Sequence, residues 1–404
     1  MNTKTFHLEL ITPCFCGGAE PDRQAEIRAP SIRGQLRWWF RTLGGFKSLA
    51  PKPVTEQEAM IFGSMAGDGG RAGKLVIRVS QPTTSLTRKN ADDLGATMNT
   101  PLGYALFPLR STRESDGRRG MLAEQTRFSV NFLWRGDRGL FESMRALVAV
   151  WAHLGCQGFR GRRAFGALRL LDPAISLSDA WSSFSEPGRI TIRALNSGSF
   201  TTWRECSAAL LKWYRAWRQH GQMNRTWSWE DKREKWKGGR WSGIPAEQRA
   251  INREQPGFKF ARRDHNEGLK VQGTGSPNPD PEQPHGQSGS TFRPALGLPI
   301  VQFFSSLGDD SQGPLKRDKA TVNWEYGRGT QQEPKGRFAS PVLLRPHRDT
   351  QGHWHALVVF VDAHKWPQGK QVFLNGQPRA VSLDLYEAMK RDPNLKPFPA
   401  GSGA

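Results

Sequence analysis

Hydrophobic and polar residues follow two periods along the first 170 residues of the chain. Alternation with a period of two, or a short apolar run, predicts strands at 6–11, 74–80, 125–133 and 167–171. Helical spacing of apolar residues predicts one helix over 32–43, with Ser31 as its N-cap, and another between the cap Asp137 and Gly155. The segment 104–109 is predicted to be one more short strand. This order of elements is close to that of a ferredoxin-like domain.

The C-terminal part of the chain repeats the mixture of strands and helices. Strand candidates lie at 298–304, 341–344 and 354–361. The last of them is almost continuously apolar, so it is expected in the interior of a sheet. Helical spacing predicts a helix over 201–220, and Ser382 would cap a final helix that runs to Met389. These elements predict a second α+β domain from about residue 290 onward, which includes the helix 201–220.

The net charge of the chain adds a functional expectation. Lys and Arg number 58 against 37 Asp and Glu, so the formal net charge is +21 and the isoelectric point is about 10.4. Such an excess is typical of proteins that bind nucleic acid or another strong polyanion. A protein that binds a membrane surface would need a basic amphipathic helix or a lipidation motif. No membrane-spanning stretch and no signal peptide is recognisable in the sequence either. We therefore expect a cytoplasmic protein without membrane partners.

The predicted helix 32–43 combines positive charge with aromatic rings. Three arginines lie four residues apart with two tryptophans beside them: Arg33, Arg37, Arg41, Trp38 and Trp39. Arginine binds phosphate oxygens through two parallel hydrogen bonds, and an exposed tryptophan stacks on a base, so this face predicts contact with a nucleic acid. The alternative is that the tryptophans pack in the core and the arginines face water or pair with Glu26 or Asp22.

A second basic element, 155–170, follows the predicted helix that ends at Gly155 and extends into the strand 167–171. It contains four glycines and four arginines: Gly155, Gly158, Gly161, Gly166, Arg160, Arg162, Arg163 and Arg169. Glycine lets a ligand approach the backbone closely, and arginine supplies fixed positive charge, so the loop fits a polyanion backbone. It is not a nucleotide P-loop, because no Gly-Lys-Ser or Gly-Lys-Thr ends it and the strand follows it. A glycine-rich turn with solvated arginines is the alternative.

The segment 221–290 differs in composition from the rest of the chain. It has few bulky aliphatic residues, so it cannot build a packed core by itself. Four tryptophans are interleaved with lysines and arginines: Trp227, Trp229, Trp236 and Trp241. This mixture suits an RNA strand or a neighbouring subunit, with ordering on binding. A flexible insertion with incidental tryptophans is the alternative, which the cost of exposing such rings disfavours.

Residues suited to chemistry are few and scattered. The four cysteines lack paired spacing and are expected to be reduced and structural, although Cys14 and Cys16 with a distant histidine would be a minor zinc option. His353 and His355 share one strand face but have no third ligand nearby in sequence. Asp68 and Asp116 lie in glycine-containing loops, where a turn is the common role of an aspartate. We expect no metal and no cofactor.

Three segments carry a resemblance to a known family: 8–18, 26–40 and 155–166. They resemble the RAMP superfamily of CRISPR effector proteins, and within it the first-numbered RAMP subunits of type III-B (Cmr) complexes. The resemblance is specific over the first 170 residues and weaker at 295–300 and 337–344. Cys14 and Cys16 occupy variable positions of the family's pattern, which weakens the zinc option.

The resemblance implies an α+β fold with two ferredoxin-like (RNA-recognition-motif-like) domains and long loop insertions. The expected parts are an N-terminal RAMP domain at 1–175, a helix with a basic, tryptophan-rich and partly disordered insertion at 176–290, and a C-terminal ferredoxin-like domain at 291–404 that takes in the helix 201–220. By analogy, these residues would contact RNA: Arg28, Ser31, Arg33, Arg37, Trp38, Arg41, Gly158, Arg160, Gly161, Arg162 and Arg163.

The function implied is that of a non-catalytic RNA-binding subunit of a type III-B CRISPR ribonucleoprotein, which contacts guide RNA or target RNA in antiviral defence together with other RAMP subunits. Two alternatives stay open. A RAMP endoribonuclease that processes the guide precursor would need a histidine near the RNA, and His7 and His153 are the early candidates. A stand-alone nucleic-acid-binding protein would work without a complex.

Overall fold

The structure is a computed structural model, and it describes residues 2–18, 20, 24–65, 70–80, 87–97, 100–112, 114–218, 254–272, 289–298, 300–303, 321–328 and 336–398. Asp22, Asp68 and the four tryptophans of the segment 221–290 lie outside these residues, so the predictions made for them stay predictions.

The described residues form strands and helices in mixed order. The strands are β1 (Asn2–Leu10), β2 (Gly63–Ser64), β3 (Arg71–Ala72), β4 (Leu75–Ser80), β5 (Thr87–Lys89), β6 (Arg119–Met121), β7 (Arg127–Trp134), β8 (Leu168–Asp172), β9 (Ile190–Leu195), β10 (Ile300–Phe303), β11 (Thr321–Glu325), β12 (Val342–Arg348), β13 (Trp354–Val361), β14 (Gln371–Leu374), β15 (Gln377–Ala380) and β16 (Leu395–Pro397). The α-helices are α1 (Ala29–Thr42), α2 (Val54–Phe62), α3 (Pro101–Leu106), α4 (Arg138–Leu154), α5 (Leu177–Trp181), α6 (Trp203–Arg218), α7 (Phe258–Gln272) and α8 (Asp384–Lys390).

The first sheet has the strand order β4-β7-β1-β8, and all of its pairs are antiparallel. Because α1 connects β1 toward β4 and α4 connects β7 to β8, this is the ferredoxin-like order expected from the sequence. Phe6 lies opposite Val130 in the register, and both side chains are fully buried. The alternating pattern of the sequence therefore reports the buried face of a real sheet.

Of the two predicted N-caps of helices α1 and α4, the structure confirms the one of α4 and corrects the one of α1. Asp137 accepts a hydrogen bond from the Leu140 backbone N–H at 2.8 Å, which confirms it as the cap of α4. Ser31 is not the N-cap of α1, because the helix begins at Ala29 with a proline in its first turn. Arg28 occupies the cap position, but its side chain makes no capping hydrogen bond.

The expected strand at 104–109 is a second correction. This segment forms the end of α3 and a 3₁₀ turn at Phe107–Leu109. Thr100 caps α3 by accepting a hydrogen bond from the Gly103 backbone N–H at 3.1 Å, and Pro101 begins the helix. A cap followed by a proline is a helix-start signal, and it outweighs the apolar run that suggested a strand.

A second four-stranded antiparallel sheet has the order β12-β13-β9-β16, with β13 in its interior as the sequence predicted. The first strand of this sheet, β9, was not recognised in the sequence. In chain order the elements are β9, α6, β12, β13, α8 and β16, so the strand order repeats that of the first sheet. The α+β class with antiparallel sheets is thereby established.

The chain divides into two compact units. Unit 1 comprises 1–211, 342–363 and 393–404, contains both of these sheets and has one hydrophobic core to which residues of both contribute. Unit 2 comprises 212–341 and 364–392 and contains the sheet β10-β11-β14-β15 together with α7. The domain boundaries at 175 and 290 stay predictions. Among the described residues, no helix is both long enough and apolar enough to cross a membrane.

Helix α7 was not predicted from the sequence, because the segment 221–290 has too few bulky aliphatic residues to build a core by itself. Asp264, on the buried side of α7, accepts hydrogen bonds from the backbone N–H groups of Phe292 and Arg293 at 2.8 and 2.9 Å. The Arg293 side chain adds an ion pair to the same carboxylate at 2.8 Å. The helix therefore depends on residues that follow it in the chain, all within unit 2.

Candidate nucleic-acid interface

The glycine-rich segment 155–166, called the glycine loop from here on, is attached to unit 1 on two sides. The Phe159 and Gly166 backbone N–H groups donate to the carbonyls of Phe15 and Pro13, at 2.7 and 2.9 Å. On the other side, the Ala164 N–H donates to the Leu344 carbonyl at 3.1 Å, and residue 344 donates in return to the carbonyl of residue 162 at 3.2 Å. The loop is therefore held by backbone hydrogen bonds and is not a free flap.

Two of its glycines are required by close contacts. Gly158 has a φ of +79°, and a Cβ at this position would lie 2.5 Å from the Phe15 carbonyl oxygen. A Cβ at Gly161 would collide with the sulfur of Cys156. Both glycines thus serve the packing of the loop itself. Gly158 is nevertheless exposed to solvent.

Arg345 of β12 determines where the loop begins and ends. Its guanidinium donates to the carbonyls of Ala152 and His153, at the end of α4, at 2.7 and 3.0 Å. It also donates to the Leu168 carbonyl, at the start of β8, at 2.6 Å. Burial lowers the pKa of Arg345 to about 10, so the side chain stays charged at neutral pH. The sequence signal for this residue is an arginine inside the apolar run of β12, and it was overlooked.

Of the predicted contacts in the loop, Arg163 faces inward. It is 9% exposed and donates to the carbonyls of Arg162 and Val342 at 2.9 and 3.0 Å. These bonds tie the loop to β12. The geometry gives Arg163 a structural role in the unit.

Arg162 connects the loop to α1. Its guanidinium carbon lies 5.1 Å from the centre of the Trp38 ring, within the range of a cation–π interaction. Trp38 in turn meets Trp39 edge to face at 4.9 Å, and Trp39 is buried in the core. Burial lowers the pKa of Arg162 from its ordinary value. The two basic elements that the sequence singled out separately therefore form one surface.

The three arginines of α1 have different surroundings. Arg33 donates to the carbonyls of Phe62 and Leu75 at 3.1 and 3.0 Å, so it braces the end of α2 against β4. Arg37 and Arg41 both pair with one oxygen of Glu58, at 2.5 and 3.1 Å. Glu58 belongs to α2 and not to the preceding loop, where the sequence reading sought a partner.

One carboxylate thus compensates two arginines, and both remain accessible. The side chains of Arg37 and Arg41 are 39% and 48% exposed, whereas that of Glu58 is 8% exposed. Arg28 and Ser31 are exposed at the beginning of the same helix. Helix α1 therefore presents positive charge to solvent at both of its ends, while the Glu58 carboxylate of α2 lies below the surface.

The remaining predicted loop contact, Arg160, has an unusual environment. Its φ is +60°, a left-handed value that few residues other than glycine adopt. Its guanidinium carbon lies 5.2 Å from the Phe107 ring and 5.1 Å from the Phe159 ring. These rings are 58% and 43% exposed. Neither phenylalanine was singled out from the sequence, although Phe159 stands beside Arg160 in the loop.

Residues 7–169 match the family model of the RAMP superfamily. These residues are called the RAMP segment from here on. The resemblance read from the sequence is thereby confirmed, and the RAMP segment contains α1, the whole glycine loop and the first sheet up to β8.

Two relatives from Pyrococcus furiosus match stretches of the chain of similar length. One is the CRISPR system Cmr subunit Cmr1-1, which is 30% identical over 179 residues, 42% of this chain and 48% of that protein. The other is the Cmr subunit Cmr1-2, which is 29% identical over 182 residues, 41% of this chain and 93% of that protein. The chain thus spans about half the length of the first relative. The crystal structure of apo Cmr1 from the same organism is 18% identical, with a TM-score of 0.42, and covers 62% of this chain and 81% of that one.

The histidines considered for catalysis in the RAMP segment differ in access. His7 is exposed on β1, and its Nδ1 lies 2.9 Å from the Ser129 hydroxyl. His153 is 8% exposed, and its Nε2 lies 2.8 Å from the Ile175 carbonyl oxygen. Burial lowers the pKa of His153. The His153 ring is therefore largely shielded from solvent.

The acidic and thiol candidates of the RAMP segment take structural roles. Asp116 accepts a hydrogen bond from the Arg118 backbone N–H at 2.9 Å and pairs with Arg88 at 3.5 Å, which is the behaviour of a turn aspartate. The Cys14 thiol donates to a backbone carbonyl of the loop at 3.3 Å, and a hydrogen bond with Cys16, together with burial, raises its pKa. Within the described residues, no group of three or more metal-binding side chains is assembled.

His353 and His355, outside the RAMP segment, converge on one carboxylate. Their ring nitrogens lie 3.4 and 3.0 Å from the same oxygen of Asp349. Asp349 also accepts the His353 backbone N–H at 2.8 Å, as expected at the turn between β12 and β13. His353 and His355 therefore stabilise the hairpin of β12 and β13 through Asp349.

Proposed function

We propose that this chain is an RNA-binding, non-catalytic subunit of a type III-B (Cmr) CRISPR ribonucleoprotein that contacts guide RNA, target RNA or both. The observation that carries the RNA-binding part is the stacking of Arg162 on Trp38, because it joins the glycine loop and α1 into one basic and aromatic surface. The names of the two relatives, both Cmr subunits of CRISPR systems, support the assembly.

The surface has the composition that single-stranded RNA requires. Arginine binds phosphate oxygens through pairs of hydrogen bonds. Five arginines of this surface are at least partly exposed to solvent: Arg28, Arg37, Arg41, Arg160 and Arg162. Its aromatic rings offer faces on which bases stack without regard to sequence. The net charge of +21 favours the approach of any polyanion to this surface.

The non-catalytic part of the proposal rests on the positions of the histidines. Cleavage through the ribose 2′-hydroxyl needs a general base within hydrogen-bond reach of that hydroxyl. His153 is enclosed beside a backbone carbonyl, and His7 lies on the exposed side of β1 with Ser129 as its neighbour. Neither histidine belongs to the glycine loop or to α1.

Salt dependence tests the RNA-binding part. Each phosphate contact on a single strand contributes about −0.7 to the slope of log affinity against log salt, so a surface with five arginines and one compensating acid predicts a slope of about −3. The measurement is filter binding of the full chain to an oligouridine at several salt concentrations. We expect Arg162→Ala and Arg28→Ala each to weaken binding and to make the slope shallower by about 0.7.

The matched control is Arg391→Ala, which removes an exposed arginine just after α8 in unit 2. It is expected to leave the slope unchanged. Slopes that are the same in the wild type and in both surface variants would contradict the assignment of this surface to RNA.

The assembly and the lack of chemistry need a second experiment. The protein is purified from its native host, and the co-purifying polypeptides and RNA are sequenced. Guide RNAs with repeat-derived ends, together with other RAMP subunits, are the expected result. Metal-independent cleavage of a guide precursor that His7→Ala or His153→Ala abolishes would overturn the non-catalytic part.

A further inference from the structure

Two exposed phenylalanines and the arginine between them form the aromatic platform, which consists of Phe107, Phe159 and Arg160. We propose that this platform stacks an unpaired base of single-stranded RNA, while Arg160 holds the phosphate beside that base. The inference rests on the proposed function and deepens it, because it names the part of the RNA that is recognised and adds Phe107 to the interface.

The exposure of the two rings calls for an explanation. Among the described residues, only Phe107, Phe159 and Met65 are large hydrophobic side chains with extensive exposure, at 58%, 43% and 94%. Two of these three side chains flank the same guanidinium, at 5.2 and 5.1 Å from ring centre to Arg160 Cζ. Exposed aromatic rings grouped around a cation are typical of a binding surface.

The backbone beneath the platform is fixed before any ligand arrives. The Phe159 N–H donates to the Phe15 carbonyl at 2.7 Å, and the two residues form an isolated antiparallel bridge. Phe107 begins a 3₁₀ turn that follows α3, and the Arg110 side chain that comes after the turn donates to the Gly103 carbonyl at 3.0 Å. The rings therefore come from two anchored segments, and little ordering is needed on binding.

The backbone of Arg160 gives a third and independent indication. Its positive φ would suit a glycine, and this loop uses glycine at 158, 161 and 166. An arginine is nevertheless present at the strained position, where its carbonyl accepts the Arg163 N–H at 2.8 Å in a turn. Strain of this kind persists where the surrounding structure imposes it, and it concentrates at binding sites.

Charge identifies the occupant as a nucleic acid. The platform shares the glycine loop with Arg162, which stacks on Trp38, and the whole chain carries a net charge of +21. Every base has a π face that fits an aromatic ring, whereas a base within a duplex is already stacked on its neighbours. The fitting ligand is thus a single strand with one base turned toward the two rings.

The test uses the full chain and a short oligouridine, and a single abasic position is moved along the oligomer. For the wild type, we expect one abasic position to weaken binding about tenfold, because that base occupies the platform. Phe159→Ala is expected to bind the intact oligomer about tenfold more weakly and to become insensitive to the abasic position. Its salt slope stays that of the wild type, in contrast to Arg162→Ala, because no phosphate contact is lost.

Two matched variants separate stacking from apolar contact. Phe159→Trp keeps an aromatic face and is expected to bind as tightly as the wild type, whereas Phe159→Leu keeps apolar volume and is expected to lose affinity as Phe159→Ala does. Met65→Ala removes an exposed apolar side chain that is not part of the platform and is expected to change nothing. Because Phe107 comes from a different segment, Phe107→Ala gives the same test if a change at Phe159 prevents folding.

The outcomes separate this inference from the proposed function. A wild type that does not bind oligouridine would overturn both. A wild type that binds, with no sensitive abasic position and with Phe107→Ala and Phe159→Ala equal to it, would overturn the platform and leave the proposed function standing. The two rings would then belong to a contact with a protein partner. Full binding by Phe159→Leu would also overturn stacking.

Discussion

At the scale of single residues, the position of the glycine loop depends on Arg345. A fully buried guanidinium loses its hydration, and four backbone carbonyls replace that hydration, those of Ala152, His153, Leu168 and Pro346. The carbonyls of Ala152 and His153 lie in the last turn of α4, where backbone carbonyls have no N–H partner within the helix. Arg345 therefore caps a helix and places the loop that follows it.

We expect Arg345→Met to lower the free energy of unfolding by about 3–5 kcal/mol, since it removes every one of these hydrogen bonds while it keeps much of the side-chain volume. The measurement is the urea midpoint of the full chain, followed by fluorescence. Arg348→Met is the matched control on the same strand, where a partly buried guanidinium donates to Gly352 at 3.2 Å, and about 1 kcal/mol or less is expected. Equal urea midpoints for the two variants would show that the hydrogen bonds of Arg345 do not stabilise the fold more than that of Arg348.

At the scale of elements, α1 shows how one helix serves the core and a surface together. Its buried stripe includes Ile32, Leu36 and Phe40, which pack into the core of unit 1. Its exposed side carries Ser31 and Gly34, and a Cβ on Gly34 would meet nothing within 4 Å. A glycine inside a helix lowers its stability, so open space above it indicates room for another molecule.

We expect Gly34→Ala to raise the free energy of unfolding by about 0.5–1 kcal/mol, because alanine is the better helix former and no clash opposes it. The same variant is expected to bind oligouridine severalfold more weakly, since the methyl group keeps the strand away from α1. Thermal unfolding and filter binding measure the two effects.

The matched control for this helix position is Gly188→Ala, another exposed glycine whose Cβ would meet nothing within 4 Å. It lies in a 3₁₀ turn, where neither effect is expected. An unchanged RNA affinity in Gly34→Ala would show that the strand does not pass close to this part of α1.

At the scale of the whole molecule, we expect two buried histidines to make stability depend on pH. His347 is 3% exposed, and its ring centre lies 5.7 Å from that of His153 and 6.1 Å from that of His355. Burial lowers the pKa of His347 well below 6.5, and His153, Arg345 and His355 lower it further, while Asp349 opposes them. Burial lowers the pKa of His153 as well.

The sign of the effect follows from these directions. The unfolded chain takes up protons near pH 6.5 while the folded chain does not, so stability is complete above that pH and is lost as the pH falls below it. Each histidine contributes at most about 1.4 kcal/mol per pH unit. We expect the urea midpoint to fall clearly between about pH 7.5 and about pH 5.5.

His347→Phe removes one of the two titrating groups and is expected to make this decline shallower. His7→Gln removes an exposed histidine of β1 and is expected to leave the decline as it is in the wild type. A decline that His347→Phe does not change would show that the buried pair is not its source.

Local sequence patterns predicted the bounds of elements best where one face of the element is buried. The strand 354–361 was predicted with its bounds, and Asp137 and Gly155 were placed correctly at the ends of α4, because periodicity and capping depend on neighbouring residues alone. The strand predicted at 104–109 failed where two local signals competed, and the cap at Thr100 prevailed. For the candidate site, the sequence located both basic elements but not the acid that compensates one of them.

The sequence by itself determined the α+β class, the strand order that its elements imply, the excess of positive charge and the two basic segments. The tertiary structure alone decided which arginines are available: Arg33 and Arg163 are tied to backbone carbonyls, whereas Arg162 lies on Trp38. It also brought Phe107 to Arg160. The physical reason is that periodicity and charge are local properties of the chain, whereas the partner of a side chain depends on which distant segments the packed core brings together.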